Sequence, residues 1–285
     1  MIPLAETADA FTAEDLALAE SAVGALLQEL EAYPKPGLVS RVDAGAHSDM
    51  DHDVMTRSAK ALLQPFARIA AAGREASPFD GTLIACGLAA ESEMLRATGG
   101  INTHRGAIFS LGMILASLAL AKTSAGPVTL STVREVLLET WGEALQSHAF
   151  PAARGPSHGA MARQATGAGG ARVEAARGFP GVFEIGVPAY REALASGLDS
   201  NACRIQTLFV LMEAVEDTNV IYRGGAGAAD FVRQSAEQFL AEGGCHSDGW
   251  FARAEGLHHE FTQRKLSPGG CADLLSGTLL LAAIL

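Results

Sequence analysis

The sequence predicts an all-α protein, a single-domain, multi-helix bundle with buried central helices and active-site loops at helix termini. Apolar residues recur at helical spacing through eleven segments, with no convincing strand between them. Two of those segments, 106–121 and 274–285, are apolar on nearly every side, the pattern of helices packed around by others. A composition of 48% hydrophobic and 19% charged residues is that of an ordered globular chain.

The predicted helices span 13–32, 54–72, 81–97, 104–121, 130–147, 158–176, 183–196, 200–216, 227–242, 247–264 and 271–284. The first has a broad apolar face of Leu16, Leu18, Val23, Leu26, Leu27 and Leu30; the eighth has Ile205, Leu208, Phe209, Leu211, Met212 and Val215. The runs "LGMILASLALA" and "LLSGTLLLAAIL" fall short of the ~20 residues a membrane span needs, so both are expected in the core. The glycine-rich stretch "TGAGGARVEAARGFPG" carries Arg172, Glu174 and Arg177 and is expected to be a mobile or ligand-facing segment rather than a link between two domains.

A net charge of -11 argues against a nucleic-acid partner held by a general basic field, so any phosphate has to meet local cations. The four cysteines, Cys86, Cys203, Cys245 and Cys271, show no paired CxxC spacing, which fits a reducing, cytoplasmic setting. The first twenty residues lack a basic region followed by an apolar one, so no signal peptide and no membrane association are expected.

Charge gathers against local rules in five places. "PKPGLVSRVDAGAHSDMD" (34–51) has neither helical nor strand period. It offers Lys35 and Arg41 to phosphates, and Asp43, His47, Asp49 and Asp51 to a hard divalent cation, although Asp51 is also placed to cap the next helix. In "GGINTHRGAIFSLG", Asn102 or Thr103 is the expected N-cap. That leaves Arg105 opposing the helix dipole unless it shares an anion with the exposed N–H groups, and His104 as either a proton carrier or a core histidine.

In "SHGAMARQATGAGGARVEA", Ser157 and His158 are adjacent without a nucleophile elbow, which excludes a hydrolase triad. In "LMEAVEDTNVIYRGG", Glu216 and Asp217 are expected at a helix C-terminus, where acids need compensation from Mg²⁺ or Arg223. In "KLSPGGCADLL", Asp273 suits the first turn of the last helix and needs no ligand. Acids in separate loops, together with Lys35, Arg41, Arg105 and Arg223 at helix ends, suit a metal-bound polyphosphate. No Walker A motif and no GxGxxG after a strand is present, which excludes the parallel-sheet nucleotide folds.

At these segments, in order from residue 31 to about 280, the chain resembles the triphosphoribosyl-dephospho-CoA synthase family: "PKPGLVSRVDAGAHSDMD", "GINTHRGAIFSLG", "SHG", "GARVEAARGFPG", "DTNVIYRGG" and "LSPGGCADLL". The resemblance implies transfer of the 5-triphosphoribosyl group of ATP to the 2′-hydroxyl of 3′-dephospho-CoA, with release of adenine. It implies phosphate contacts from Lys35, Arg41, Arg105 and Arg223, with Asn102 and Asn219 assisting, and Mg²⁺ on Asp49, Asp51 and Asp217. His47, His104 and Glu174 become candidates for proton transfer or ribose orientation.

Ser40 and Asp43 bring the wording closer to the malonate decarboxylase branch than to the citrate lyase branch, while Val173 and Cys271 depart from the family pattern. The product would pass to a carrier-protein holo-transferase, and apolar helices allow a homodimer. Two other readings remain open at this level: an all-α, Mg-dependent nucleotide or ADP-ribosyl hydrolase, and a helical adaptor for the carrier subunit.

Overall fold

A computed structural model describes residues 11–150 and 170–285. Among the described residues the chain forms twelve α-helices and no strand. They are α1 (Ala13–Glu31), α2 (His52–Ala61), α3 (Leu63–Arg74), α4 (Ile84–Thr98), α5 (Arg105–Ala121), α6 (Leu130–Ala149), α7 (Gly170–Ala176), α8 (Val187–Ala195), α9 (Ser200–Ala214), α10 (Thr218–Ala241), α11 (Trp250–Gln263) and α12 (Gly269–Ile284). Single π-helical turns at Phe79–Leu83 and Gly181–Gly186 lead into α4 and α8. The Ser157–His158 pair lies outside the described residues, as does the start of the predicted helix 158–176.

The two helices that are apolar all round are the core, as their sequences predict. In α5 every residue from Ser110 to Ala119 is buried, and in α12 every residue from Leu274 to Leu281. They pack on each other and share α1, while α3 fills the angle between α1 and α5. Helix α1 starts at a capping box in which Thr12 and Asp15 exchange hydrogen bonds; the buried Asp15 carboxylate also accepts from Arg74 of α3 at 3.2 Å. The start of the bundle is thereby tied to its interior.

The predicted boundaries hold within a few residues except at two places. The segment predicted as 54–72 divides at Leu62 into α2 and α3. Helix α10 begins nine residues before the predicted 227, because Asp217 caps it and the glycines at 224–225 do not end it. Gly225 instead breaks the helix internally, with φ 73° and ψ −170°, a conformation close to glycine-only. The turns that carry Thr218, Asn219, Tyr222 and Arg223 therefore run in a different direction from the rest of α10.

Residues 32–40, expected as a charged loop, are all buried. The fixed partners of their backbone explain this. Asn201 of α9 pairs with both the N–H and the carbonyl of Tyr33, at 3.0 and 2.6 Å, ahead of a cis peptide bond to Pro34. His258 of α11, fully buried, bridges the Lys35 carbonyl (2.6 Å) and the Asp43 carboxylate (2.9 Å). Lys35 is itself buried, its Nζ donating to the Glu29 carboxylate at 2.5 Å and to the Glu29 carbonyl at 2.8 Å. Deleting one partner of such a pair strands the other charge, so Lys35→Ala is expected to lower the unfolding free energy by about 3–5 kcal/mol. The Glu29→Gln/Lys35→Met double variant should lose less than Lys35→Ala alone; urea unfolding of the three proteins checks the order.

Candidate active site

Three helices begin at one place. The N-termini of α5, α10 and α12 meet the 38–50 loop and the side of α1 around a cavity of about 580 Å³, a size suited to a small-molecule ligand. Its wall includes His47 and Asp49 from the loop, Asn102 to Gly106 at the start of α5, Thr218, Asn219, Tyr222 and Arg223 at the start of α10, and Ser267, Gly269 and Asp273 at the start of α12. Each helix N-terminus carries roughly half a positive charge, offset in part at α10 and α12 by the Asp217 carboxylate, so the wall favours anions most at the start of α5.

Asp217 explains why two of these ends lie together. Its buried carboxylate caps α10, accepting from Asn219 N–H at 2.8 Å, and accepts from Cys271 N–H in the first turn of α12 at 2.9 Å. Burial raises its pKa against the lowering effect of those backbone donors, which include Val220 and Gly270. This corrects the expectation that Asp217 stands at a helix C-terminus. Helix α9 already ends at Ala214, so Asp217 stands where the dipole favours an acid, and its oxygens are taken by N–H groups.

Helix α5 has no side-chain cap; His104 occupies the N-cap position, and Asn102 Oδ1 accepts from Arg105 N–H at 3.3 Å. The conflict expected at Arg105 is resolved within the protein, since its Nε donates to Glu91 of α4 at 2.9 Å while the residue still borders the cavity. Arg223 differs: its guanidinium lies 3.4–3.5 Å from the carbonyls of Ala46 and Lys265 and from His47 Nδ1, with no carboxylate partner among the described residues. It is a cation at the cavity wall without an ion pair.

Both histidines border the cavity and both are held neutral. Burial, with Lys35 adding positive charge, lowers His104 to about 4; its Nδ1 lies 2.7 Å from Ser58 Oγ, which in turn lies 2.6 Å from Thr103 Oγ1. That chain can run in either sense, and its sense fixes whether His104 Nε2 donates or accepts. Burial and then Arg223 lower His47, with Asp49 at 3.8 Å opposing weakly. Arg223 can only donate to His47 Nδ1, which favours the tautomer with its proton on Nε2, 2.9 Å from Ser267 Oγ, while Asp49 on the Nδ1 side favours the other.

The structure thus brings His47, Asp49, Asn102, His104, Arg105, Asn219 and Arg223 together and leaves six predicted residues elsewhere, among them Asp43, which is held by His258. Lys35 is buried on Glu29, behind the wall. Arg41 is exposed and off the cavity wall. Asp51 caps α2, accepting from Val54 N–H at 2.9 Å. Glu174 accepts from Gly181 N–H at 2.9 Å; burial raises its pKa, but it sits in the α7 turn and not at the cavity. Asp217 is the double cap. Glu29 and Asp273 are the two cavity acids that the sequence reading missed. Asp273 was expected to be a plain first-turn acid, yet it has no hydrogen bond or ion pair among the described residues. Burial, with Asp217 and Glu29 adding negative charge, pushes its carboxyl well above the usual range.

No three His, Cys, Asp or Glu side chains among the described residues gather closely enough to hold a metal by themselves. The hard oxygens of Asp49, Asp273, Asn102 and Asn219 at the wall do fit Mg²⁺ as it is usually held with phosphates, by one or two carboxylates while phosphate and water oxygens complete the shell.

Fold and cavity define an all-α protein with an anion-binding site assembled from helix N-termini. The family model described as ATP:dephospho-CoA triphosphoribosyl transferase matches residues 15–285. Relatives from Azotobacter vinelandii (40% identical, covering 92% of this chain and 89% of the relative) and Acinetobacter calcoaceticus (38%, 91% and 88%) are each named a probable 2-(5''-triphosphoribosyl)-3'-dephosphocoenzyme-A synthase. A relative from Pseudomonas fluorescens with the same name is 38% identical over 94% of this chain and 91% of its own length. The chain belongs to the ATP:dephospho-CoA triphosphoribosyl transferase family, and it is an enzyme of the transferase class. No solved structure matches it.

A histidine whose folded pKa is near 4 and whose unfolded pKa is near 6.5 binds its proton only in the unfolded chain between those values. Its contribution is present above pH 6.5 and lost as pH falls towards 4, by about 3 kcal/mol in all. The His104→Gln variant is therefore expected to show a flatter fall in stability from pH 6.5 to 4 than the parent, measured by urea unfolding across that range.

Proposed function

We propose that the cavity holds the triphosphate of ATP against the N-termini of α5, α10 and α12 and transfers its ribosyl group to the 2′-hydroxyl of 3′-dephospho-CoA. The observation that carries this reading is the convergence of three helix N-termini and the unpaired cation Arg223 on one cavity large enough for a small substrate. Arg223 and the α5 N–H groups contact phosphate oxygens, and Arg105, already paired with Glu91, adds a second positive edge. Asp49, with the side-chain oxygens of Asn102 and Asn219, would hold Mg²⁺, which when bound offsets the charge of the triphosphate.

In the reaction the bond between ribose C1′ and adenine N9 breaks and the bond from C1′ to the 2′-oxygen forms. The hydroxyl proton is lost and adenine leaves carrying one proton. Neutral His47 and neutral His104 each present Nε2; either can carry a proton without adding a full positive charge to the resting site. The helix ends and Arg223 are fixed before substrate arrives, so they need little reorganisation as positive charge develops on the sugar carbon and the triphosphate stays in place. No helix among the described residues is long and apolar enough to cross a membrane. A cytoplasmic enzyme that passes its product to a holo-transferase acting on a malonate decarboxylase carrier, the branch favoured by Ser40 and Asp43, completes the reading.

The protein incubated with ATP, Mg²⁺ and 3′-dephospho-CoA is expected to release adenine. ADP or AMP without adenine would overturn the reading, and adenine release without dephospho-CoA would point to a hydrolase. Arg223→Ala is expected to raise the KM for ATP about 10- to 100-fold with a smaller effect on kcat, as loss of a charged phosphate contact worth about 1.5–3 kcal/mol implies. Initial-rate kinetics over a range of ATP concentrations separates the two effects.

A further inference from the structure

Asp273 is an acid on the wall of a cavity otherwise arranged for anions. Gly106, at the start of α5, leaves the space it occupies: a Cβ at 106 would lie 2.0 Å from Asp273 Oδ2. Asp273 makes no cap hydrogen bond to α12; the first-turn N–H groups of Gly270 and Cys271 go to Asp217 instead. None of the nearby cations pairs with it: Lys35 is paired with Glu29, Arg105 with Glu91, and Arg223 faces two carbonyls and His47. Its acidic neighbours Glu29 and Asp217 each have their own partners. A half-buried carboxylate at the cavity wall, without donor or counter-charge among the described residues, is unfavourable in the ligand-free protein.

Resting on the reading above, we infer that Asp273 is the inner carboxylate ligand of the divalent cation that accompanies the triphosphate, the role the sequence pattern had assigned to Asp217. A triphosphate entering this cavity meets the Asp273 carboxylate on the same wall as the α5 N-terminus, and two anions approach there only with a cation between them. A hard divalent ion supplies that charge and accepts both carboxylate and phosphate oxygens. Gly106 is then explained as well, since a larger residue would displace the ligand oxygen. A structural acid would be held by donors, as Asp217 is; Asp273 has the opposite surroundings.

The test measures binding of Mn²⁺·ATP to the intact protein by water-proton relaxation, together with the melting temperature of the ligand-free protein. Asp273→Asn is expected to weaken Mn²⁺·ATP binding at least tenfold while its melting temperature stays level or rises, because an uncompensated charge is removed. Asp217→Asn, which disturbs two helix caps, should lower the melting temperature. Binding by Asp273→Asn within twofold of the parent would overturn the inference, and so would a fall in its melting temperature like that of Asp217→Asn. If the parent releases adenine while Asp273→Asn keeps its Mn²⁺·ATP affinity, this inference fails and the proposed function stands. If the parent releases none, the proposed function itself fails.

Discussion

The cavity depends on one buried carboxylate that belongs to two helices at once. Asp217 closes the N-terminus of α10 from within its own chain segment and that of α12 from across the bundle, 54 residues away. A helix N-terminus buried without partners for its N–H groups is costly, and two side by side also repel through their dipoles. One buried acceptor between them gives both sets of N–H groups a partner, which is how apolar helices can be brought end to end. The close fit depends on Gly270, where a Cβ would come within about 3.0 Å of the Asp217 carboxylate.

A second constraint makes the opposite wall rigid. The 33–47 segment would be free to move if only its own turns held it. Instead, Asn201 holds Tyr33, His258 holds both Lys35 and Asp43, and Lys35 reaches back to Glu29. These anchors come from α9, α11 and α1, so the loop that carries His47 and Asp49 to the cavity is fixed by three separate helices. His47 is then set by Ser267 and Arg223, which belong to the facing wall. Such cross-bracing lets a site built on loops hold its geometry without help from substrate.

The fold was legible because it rests on periodicity, a local property. The all-round apolar pattern of α5 and α12 identified the core helices, and the charged breaks between helices marked the segments that meet at the cavity. What was not legible followed from distance in sequence. Asp217 read as an acid in need of a metal because nothing in its neighbourhood shows that α12 would supply N–H groups. Asp273 read as an ordinary first-turn acid because nothing nearby shows that Asp217 would take the donors around it. Both surroundings depend on contacts between segments far apart in the sequence. Arg105 likewise seemed to require an anionic ligand because Glu91, fourteen residues earlier, pairs with it only once α4 and α5 are folded together.

The cavity's charge distribution places a limit on what can fill it. Helix ends and Arg223 favour negative charge, whereas Asp49, Asp273 and the nearby Glu29 oppose it. A bare anion would be attracted by one part of the wall and repelled by the other; a bare cation would meet the reverse. A polyphosphate already neutralised in part by a divalent ion suits both, because its charge is distributed along its length. Proteins that bind simple phosphate can do without acids at the wall, and proteins that bind only a metal can do without helix N-termini. The presence of both in one enclosure selects ligands that carry both signs of charge.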